Sequence, residues 1–194
     1  MSEPTWEHVA DGGLILHDPA FLPPGEADAL FALLRDQTPW RQQQGVFGHR
    51  LPRLTTYYAD PGVDYRYSGV VHESLAWPEY LVPLRGRVEA LAGSPFNSLL
   101  LNLYRDGQDS VGMHADNEPE LGVDPVVPSV SLGATRRFVL KHRASGERRE
   151  YQLTHGSLLL MSGTLQHHWL HGVPKTTAPT AARINLTFRN ILAS

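Results

Sequence analysis

The chain has 194 residues, of which 41% are hydrophobic and 19% charged, and its formal net charge is −3. This length predicts a single domain, spanning residues 1–194, with a substantial core. The absence of cysteine excludes a disulfide framework, a thiolate zinc site and a thiol nucleophile. The negative net charge argues against a generally basic nucleic-acid-binding surface, but it permits a local basic patch.

The N-terminal segment indicates where the protein acts. Residues 1–7 are acidic and lack the apolar stretch of a signal peptide. No apolar run approaches the length that spans a membrane. We therefore expect an intracellular protein, cytoplasmic or, in a eukaryote, nuclear, that has no membrane partner and acts as a monomer.

The first half of the chain predicts two helices between short strands. Pro23 and Pro24 suit the start of a helix, and Pro83 interrupts the apolar stripe of a second one. Two polar, exposed segments, 42–50 and 65–69, lie between the two helices. The predicted elements are strands over 13–16 and 54–58 and helices over 26–36 and 78–91.

From Phe96 onward the pattern changes to short strands separated by Gly, Asp, Ser and Pro. Two helices followed by about eight strands favour a sandwich or jelly roll with the helices against one sheet. Asp106-Gly107 predicts a tight hairpin turn. The strands are expected near 98–104, 111–114, 129–133, 137–142, 150–153, 157–161, 167–171 and 183–190.

A candidate metal site begins after this turn. His114 and Asp116 are two residues apart, so on an extended strand their side chains would project to the same face. A third ligand must come from elsewhere: His171 is the candidate, His167 and His168 compete with it, and His155, at a turn before Gly156, is expected to be structural. Two histidines and one carboxylate form the facial triad of non-haem Fe(II) oxygenases. A solvated surface pair is the alternative interpretation of His114 and Asp116.

A polar and cationic strand face follows near the C-terminus. Residues 183–189 alternate between polar side chains, with an arginine at each end, and the apolar Ile184, Leu186 and Phe188. Guanidinium groups bind carboxylates through paired hydrogen bonds, so this face suits an anionic ligand beside a metal. Pairing of the two arginines with acidic side chains of the protein is the alternative.

Taken together, these separated blocks resemble the AlkB family of Fe(II)- and 2-oxoglutarate-dependent dioxygenases. The resemblance covers about residues 46–192 and is nearest to the DNA-repair branch. It implies an α+β, mainly β fold, a double-stranded β-helix (jelly roll), with N-terminal helices and a nucleotide-recognition lid over 1–95 and the core over 96–194. The matching blocks are Asn102-X-Tyr104, His114-X-Asp116-Asn-Glu118, His171, Arg183-X5-Arg189, Val46-Phe47-Gly48 and Tyr65-Arg-Tyr67-Ser68-Gly69.

The resemblance assigns roles to the candidate residues. Iron would be held by His114, Asp116 and His171, since Trp169-Leu-His171-Gly matches the family's aromatic-X-His-Gly pattern. The open metal position would receive O2. The residues implied for 2-oxoglutarate are Arg183 and Arg189 for its carboxylates, with Asn102, Tyr104, Asn185 and Thr187 for its remaining polar contacts.

The resemblance also implies oxidative demethylation or dealkylation of DNA bases such as 1-methyladenine and 3-methylcytosine, releasing succinate, CO2 and an aldehyde. Asn117 departs from the acid found in several relatives. The same chemistry on RNA, a protein or a lipid is one alternative, and a non-catalytic binding module on the same fold is another. The implied substrate contacts are Val46, Phe47, Gly48, Arg53, Tyr65, Tyr67, Ser68, Asn117 and Glu118.

Overall fold

The computed structural model describes residues 5–44, 48–63, 65–67, 70–72 and 74–192, with the backbone alone for 65–67 and 70–72. Val46, Phe47 and Ser68 of the expected substrate contacts lie outside the described residues. Tyr65 and Tyr67 are described by their backbone only.

Short antiparallel strands dominate the described part of the chain, as the sequence predicts. Three helices accompany them: α1 (Pro24–Gln37), α2 (Val82–Ala92) and the single turn α3 (Leu165–His168). The strands are β1 (Trp6–Val9), β2 (Gly13–Asp18), β3 (Leu54–Ala59), β4 (Tyr65–Tyr67), β5 (Val70–His72), β6 (Ser98–Tyr104), β7 (Val111–His114), β8 (Val127–Gly133), β9 (Arg136–His142), β10 (Arg148–Leu153), β11 (Ser157–Gly163), β12 (Trp169–Val173) and β13 (Arg183–Arg189).

Two antiparallel sheets form the jelly roll. The larger sheet has the order β1-β2-β11-β8-β13-β6-β3, and the smaller one has the order β10-β9-β12-β7. Strands β4 and β5 pair separately. The larger sheet draws strands from both halves of the chain, because β1, β2 and β3 precede residue 96. Among the described residues, none of the helices has the length and apolar character needed to cross a bilayer.

The prediction of a hairpin at Asp106-Gly107 is wrong. Strand β6 belongs to the larger sheet and β7 to the smaller one, so this turn carries the chain between sheets. A Cβ on Gly107 would lie 2.6 Å from the carbonyl oxygen of Thr176, which is closer than any side chain tolerates. The glycine therefore serves close backbone approach rather than a two-residue hairpin.

The alternation along β13 determines where the core and the cavity lie. Ile184, Leu186 and Phe188 are fully buried in the cluster that α1 and α2 form with the larger sheet. The alternate residues of β13 face the smaller sheet, where a second apolar cluster includes Tyr104 and Trp169. A strand with period-two alternation thus closes an apolar layer on one side and presents polar groups on the other.

Truncation of Phe188 tests this packing. Its ring stacks on that of Trp77, with centroids 6.2 Å apart, and lies 6.1 Å from that of Phe96. We expect Phe188→Ala to lower the free energy of unfolding by about 3–5 kcal/mol, as removal of a buried aromatic ring usually does. Urea unfolding measures the change. Val123→Ala is the matched control, since Val123 is 78% exposed, and a similar loss in both variants would contradict the assignment of Phe188 to the core.

Candidate metal and cosubstrate site

A polar cavity lies between the two sheets and contains most of the residues that the sequence singles out. The predicted residues that line it are Arg53, Asn102, Tyr104, His114, Asp116, His171, Asn185, Thr187 and Arg189. The remaining lining residues belong to none of the predicted site positions and are Leu100, Val111, Ser129, Phe138, Met161 and Val173.

Two neighbouring strands bring the two histidines together. His114 ends β7 and lies opposite His171 of β12 in the antiparallel register, with ring centroids 4.4 Å apart. Strand β7 ends at His114 as predicted, and Asp116 lies two residues beyond it, so the strand itself does not carry the carboxylate. The Asp116 carboxylate nevertheless lies beside the two imidazoles. One ligand atom from each of the three side chains lies within 4.8 Å of the others.

Asp116 is held from three sides. Its Oδ1 accepts a hydrogen bond from Arg189 Nη2 at 2.7 Å, and its Oδ2 lies 3.5 Å from His171 Nε2. Its backbone N–H donates to Gln166 Oε1 at 3.0 Å. Burial by itself would raise the pKa of this carboxyl, but the charge of Arg189 and the contact with His171 hold the pKa well below its ordinary value. Asp116 is therefore an anion, as a metal ligand must be.

His114 is arranged as a neutral ligand. Its Nδ1 lies 2.9 Å from the carbonyl oxygen of Gly112, and when Nδ1–H donates there Nε2 is the unprotonated nitrogen that can bind a metal. Burial, followed by the neighbouring His171, lowers the pKa of His114 to about 4. Neutral imidazole is the form that coordinates a metal, and both effects favour it at neutral pH.

The structure separates His171 from its two competitors. The expected strand 167–171 begins only at Trp169, because residues 165–168 form the helical turn α3. His167 therefore lies in this helical turn and not on the strand that carries His171. His167 Nε2 lies 2.9 Å from Asp124 Oδ1, away from the triad. His171 is buried, and the ring of Phe138 stacks on it with centroids 5.4 Å apart.

The polar face of β13 forms one wall of the cavity. Asn185 and Thr187 line it together with Arg189, which contacts the metal-ligand candidate Asp116 directly. Asn185 Nδ2 donates to Ser129 Oγ at 2.6 Å, which fixes its amide. A carboxylate bound to Arg189 would therefore lie next to the metal ligands.

Arg183, at the other end of β13, lies just outside the cavity lining. It is fully buried, with its guanidinium carbon 5.0 Å from the centre of the Tyr104 ring. Its Nη2 donates to Ser131 Oγ at 2.8 Å, whereas Nε and Nη1 have no hydrogen-bond partner among the described residues. Burial lowers the pKa of Arg183. A buried cation with no acidic partner among the described residues is costly alone, so this end of the strand suits an anionic ligand.

Arg53 fixes the neighbouring part of the same wall, since Asn102 of β6 lies opposite Asn185 of β13 in the larger sheet. Arg53 Nε donates to Asn102 Oδ1 at 2.7 Å, and its Nη1 lies 3.3 Å from the carbonyl oxygen of Ser110. Arg53 is 5% exposed, so it is a buried part of the cavity wall. This contact also fixes the orientation of the Asn102 amide, which turns its nitrogen away from Arg53.

Three other predicted substrate contacts lie beyond the cavity lining. Gly48 adopts a left-handed φ of 74°, and Asn117 is exposed. Glu118 is partly buried, and burial raises the pKa of its carboxyl. Its Oε2 has no hydrogen-bond partner within the described ranges.

Several residues of the site were not predicted from the sequence. Gln166 and Phe138 support metal ligands from outside the motif blocks. Ser129 and Ser131 contact Asn185 and Arg183, respectively. These two serines alternate with Val130 and Leu132 on β8, and this alternation was the available signal for an inward polar face.

The donor set fits a divalent iron ion. Two imidazoles and one carboxylate supply nitrogen and oxygen ligands with no thiolate, and they occupy one side of a cavity. His171 Nδ1 is buried without a hydrogen-bond partner in the part of the chain that the structure describes. The adjoining guanidinium groups then provide the positive wall that a dicarboxylate requires.

Comparison with known proteins agrees with this geometry. A family model described as "2OG-Fe(II) oxygenase superfamily" matches residues 15–189. The human "Alpha-ketoglutarate-dependent dioxygenase alkB homolog 3" is 39% identical, over 89% of this chain and 64% of the relative. The chain therefore spans slightly less than two thirds of that relative's length. The "DNA oxidative demethylase ALKBH2" of Mus musculus is 35% identical, over 99% of this chain and 86% of the relative.

A solved structure shares the fold. "The structure of OsALKBH1" superposes with a TM-score of 0.65 at 19% identity, over 96% of this chain and 100% of that one. The range matched by the family model, residues 15–189, contains the triad and the whole of β13. The chain belongs to the 2OG-Fe(II) oxygenase superfamily and, within it, to the AlkB family.

Proposed function

We propose that this protein is an Fe(II)- and 2-oxoglutarate-dependent dioxygenase that removes alkyl groups from N-alkylated bases in DNA. The observation that carries the proposal is the cavity in which His114, Asp116 and His171 adjoin Arg189. Relatives named for DNA oxidative demethylation support the choice of substrate. Bound iron and 2-oxoglutarate, together with O2, would supply the oxidant that hydroxylates the N-alkyl carbon.

The chain's own residues would bind and orient. His114, Asp116 and His171 would hold the metal on one side, leaving the cavity side open. Arg189 would bind one carboxylate of 2-oxoglutarate while its Nη2 keeps Asp116 ionised. Arg183 would take the other carboxylate, with Asn102, Tyr104, Asn185 and Thr187 completing the polar contacts. Alignment of the reacting atoms is the main contribution of such a site.

A basic surface supports DNA as the partner. Arg137, Lys141 and Arg148 are exposed on the smaller sheet and line one groove with Lys175. Four cations on one face can attract phosphate although the whole chain carries a charge of −3. Phosphate contacts would position the duplex without reading its sequence.

The lid would be supplied by residues 1–95 and the catalytic core by 96–194. Gly48, Arg53, Tyr65, Tyr67, Ser68, Asn117 and Glu118 are the residues we assign to the base and its flanking backbone. Because its substrate and cosubstrate occur inside cells, we place the enzyme in the cytoplasm or nucleus. We also propose that it acts as a monomer.

One assay tests the activity directly. An oligonucleotide that carries 1-methyladenine or 3-methylcytosine is incubated with the protein, Fe(II), ascorbate and 2-oxoglutarate, and mass spectrometry measures the loss of the methyl group. We expect demethylated DNA and an equal amount of succinate. Succinate that depends on methylated RNA instead would select the RNA alternative. The absence of succinate formation with each nucleic acid would favour a non-catalytic module.

Phe47 tests the strand preference, although it lies outside the described residues. An enzyme that modifies a base in a duplex must extrude it, at a cost of a few kcal/mol. We propose that Phe47, between Val46 and Gly48, fills the vacated stack, as apolar wedges do in other DNA-binding proteins. For Phe47→Ala we expect the rate on duplex DNA to fall at least about tenfold, or ~1.4 kcal/mol in barrier.

The same lesion in single-stranded DNA is the control for Phe47→Ala. Little stacking has to be replaced there, so the rate should change much less. An equal loss on both substrates would indicate a packing role or a general substrate contact.

A further inference from the structure

A second group of two histidines and one carboxylate lies outside the cavity. It consists of Asp11, His142 and His168, whose ligand atoms lie within 4.8 Å of one another. None of the three lines the cavity between the sheets. The proposed dioxygenase reaction therefore does not use this group. The group nevertheless has the same donor set as His114, Asp116 and His171.

The backbone of both histidines is fixed by the smaller sheet. His142 ends β9 and lies opposite Trp169 of β12 in the antiparallel register. The backbone N–H of Arg143 donates to the carbonyl oxygen of His168 at 2.8 Å, at the end of α3. The two imidazole centroids are 6.4 Å apart. His142 is 4% exposed, whereas His168 is partly accessible.

Asp11 is held in place by contacts to its own turn. It has a left-handed φ of 58°, an uncommon backbone conformation for a residue other than glycine. The Thr164 hydroxyl donates to the Asp11 carbonyl oxygen, and Trp169 Nε1 donates to the Ala10 carbonyl oxygen at 3.2 Å. Such conformations persist where the surroundings enforce them, often at functional sites. The turn brings Asp11 Oδ2 to 2.7 Å from His142 Nε2.

We propose that Asp11, His142 and His168 bind a divalent cation of the zinc class, with water completing the shell. Zinc takes nitrogen and oxygen ligands at roughly 2.0–2.2 Å in a tetrahedron, which places neighbouring ligand atoms about 3.3 Å apart. The Asp11 and His142 atoms would have to separate by about half an ångström from their present distance. The Asp11 side chain is 53% exposed, so it can make this movement, and an ion can enter.

Metal binding at His142 requires a change of tautomer but no change in the charge of the ring. In the structure the Ser145 N–H points to His142 Nδ1 at 3.1 Å, so the ring proton lies on Nε2 and is donated to Asp11. Binding of the ion to Nε2 requires the neutral tautomer with the proton on Nδ1, where Ser145 Oγ at 2.8 Å would accept it, and the Ser145 N–H would then exchange Nδ1 for water as its acceptor. A second hydrogen bond from the remote ring nitrogen is what metal-bound histidines usually have.

The bound ion would cross-link the two sheets. Asp11 lies in the turn between β1 and β2 at the edge of the larger sheet, whereas His142 belongs to β9 of the smaller one. An ion that binds only the folded arrangement stabilises it by a free energy that grows with the logarithm of the ion concentration relative to its dissociation constant. The site would therefore raise the thermal stability of the protein rather than take part in oxidation.

The test measures zinc bound to a variant that lacks the metal site of the cavity. Tag-free His114→Ala/His171→Ala protein is dialysed against Zn(II), and the metal is measured by mass spectrometry. We expect one zinc per chain, against two in the unaltered protein. Adding His168→Ala or Asp11→Asn should reduce the count to zero, and the rise in thermal midpoint on adding Zn(II) should disappear.

His167→Ala in the same background is the matched control, because this neighbouring histidine contacts Asp124 instead. It should retain one zinc. Circular dichroism confirms that each variant is folded, and His168→Ala and Asp11→Asn provide two independent removals of a ligand. The proposal is overturned if the background protein binds no zinc, or if it binds as much after either removal.

Discussion

His171→Ala is expected to abolish 2-oxoglutarate turnover. The imidazole is buried opposite His114 and lies 3.5 Å from Asp116, so alanine removes one of the three proposed metal ligands. Loss of an outer-shell partner alone typically costs a factor of 10–100, so loss of a ligand should cost more than about a hundredfold. Succinate formation measures the rate. The absorption that 2-oxoglutarate produces with protein-bound Fe(II) under anaerobic conditions measures the site itself.

His167→Ala is the control for this prediction. It removes an imidazole four residues away that contacts Asp124 near the surface, and we expect most of the activity to remain. His114→Ala and Asp116→Ala should behave like His171→Ala. Unchanged Fe(II) affinity and rate in His171→Ala would show that the ligand assignment is wrong.

Arg189→Ala is expected to weaken the binding of 2-oxoglutarate by one to two orders of magnitude. A charge-assisted hydrogen bond to a carboxylate is worth roughly 1.5–3 kcal/mol. The same change removes the cation that holds the pKa of Asp116 low, so metal binding should weaken as well. Arg183→Ala should also raise the 2-oxoglutarate concentration needed for half-maximal turnover, since the Arg183 guanidinium is buried without an acidic partner among the described residues. The 2-oxoglutarate dependence of succinate formation measures both effects.

Lysine and a surface arginine provide the controls. Arg189→Lys should recover only part of the affinity, because an ammonium group cannot form the paired hydrogen bonds of a guanidinium. Arg35→Ala removes an exposed arginine that pairs with Asp36, and it should leave the titration unchanged. If both Arg189→Ala and Arg183→Ala bind 2-oxoglutarate normally, the cationic face of β13 has another purpose.

The sequence alone determined the features that depend on local periodicity. Strand β13 was predicted from its alternation, and the structure places its apolar residues in the core and most of its polar ones in the cavity. Helices α1 and α2 were expected within a few residues of their observed bounds, whereas the single turn α3 was expected to be part of a strand. The motif blocks also indicated the family, because each is a short stretch whose residue types the chemistry requires.

The tertiary structure decided which of these side chains meet. Asp116 lies beyond its strand, and His167 and His168 lie in a helical turn, so a strand pattern alone could not assign the third ligand. The Asp106-Gly107 turn joins two sheets although its residues are typical of a hairpin. Turn and strand preferences depend on adjacent residues, whereas the pairing of strands depends on burial and hydrogen bonding across the whole chain. The pairing of β12 with β7 that brings His171 to His114 is of this second kind.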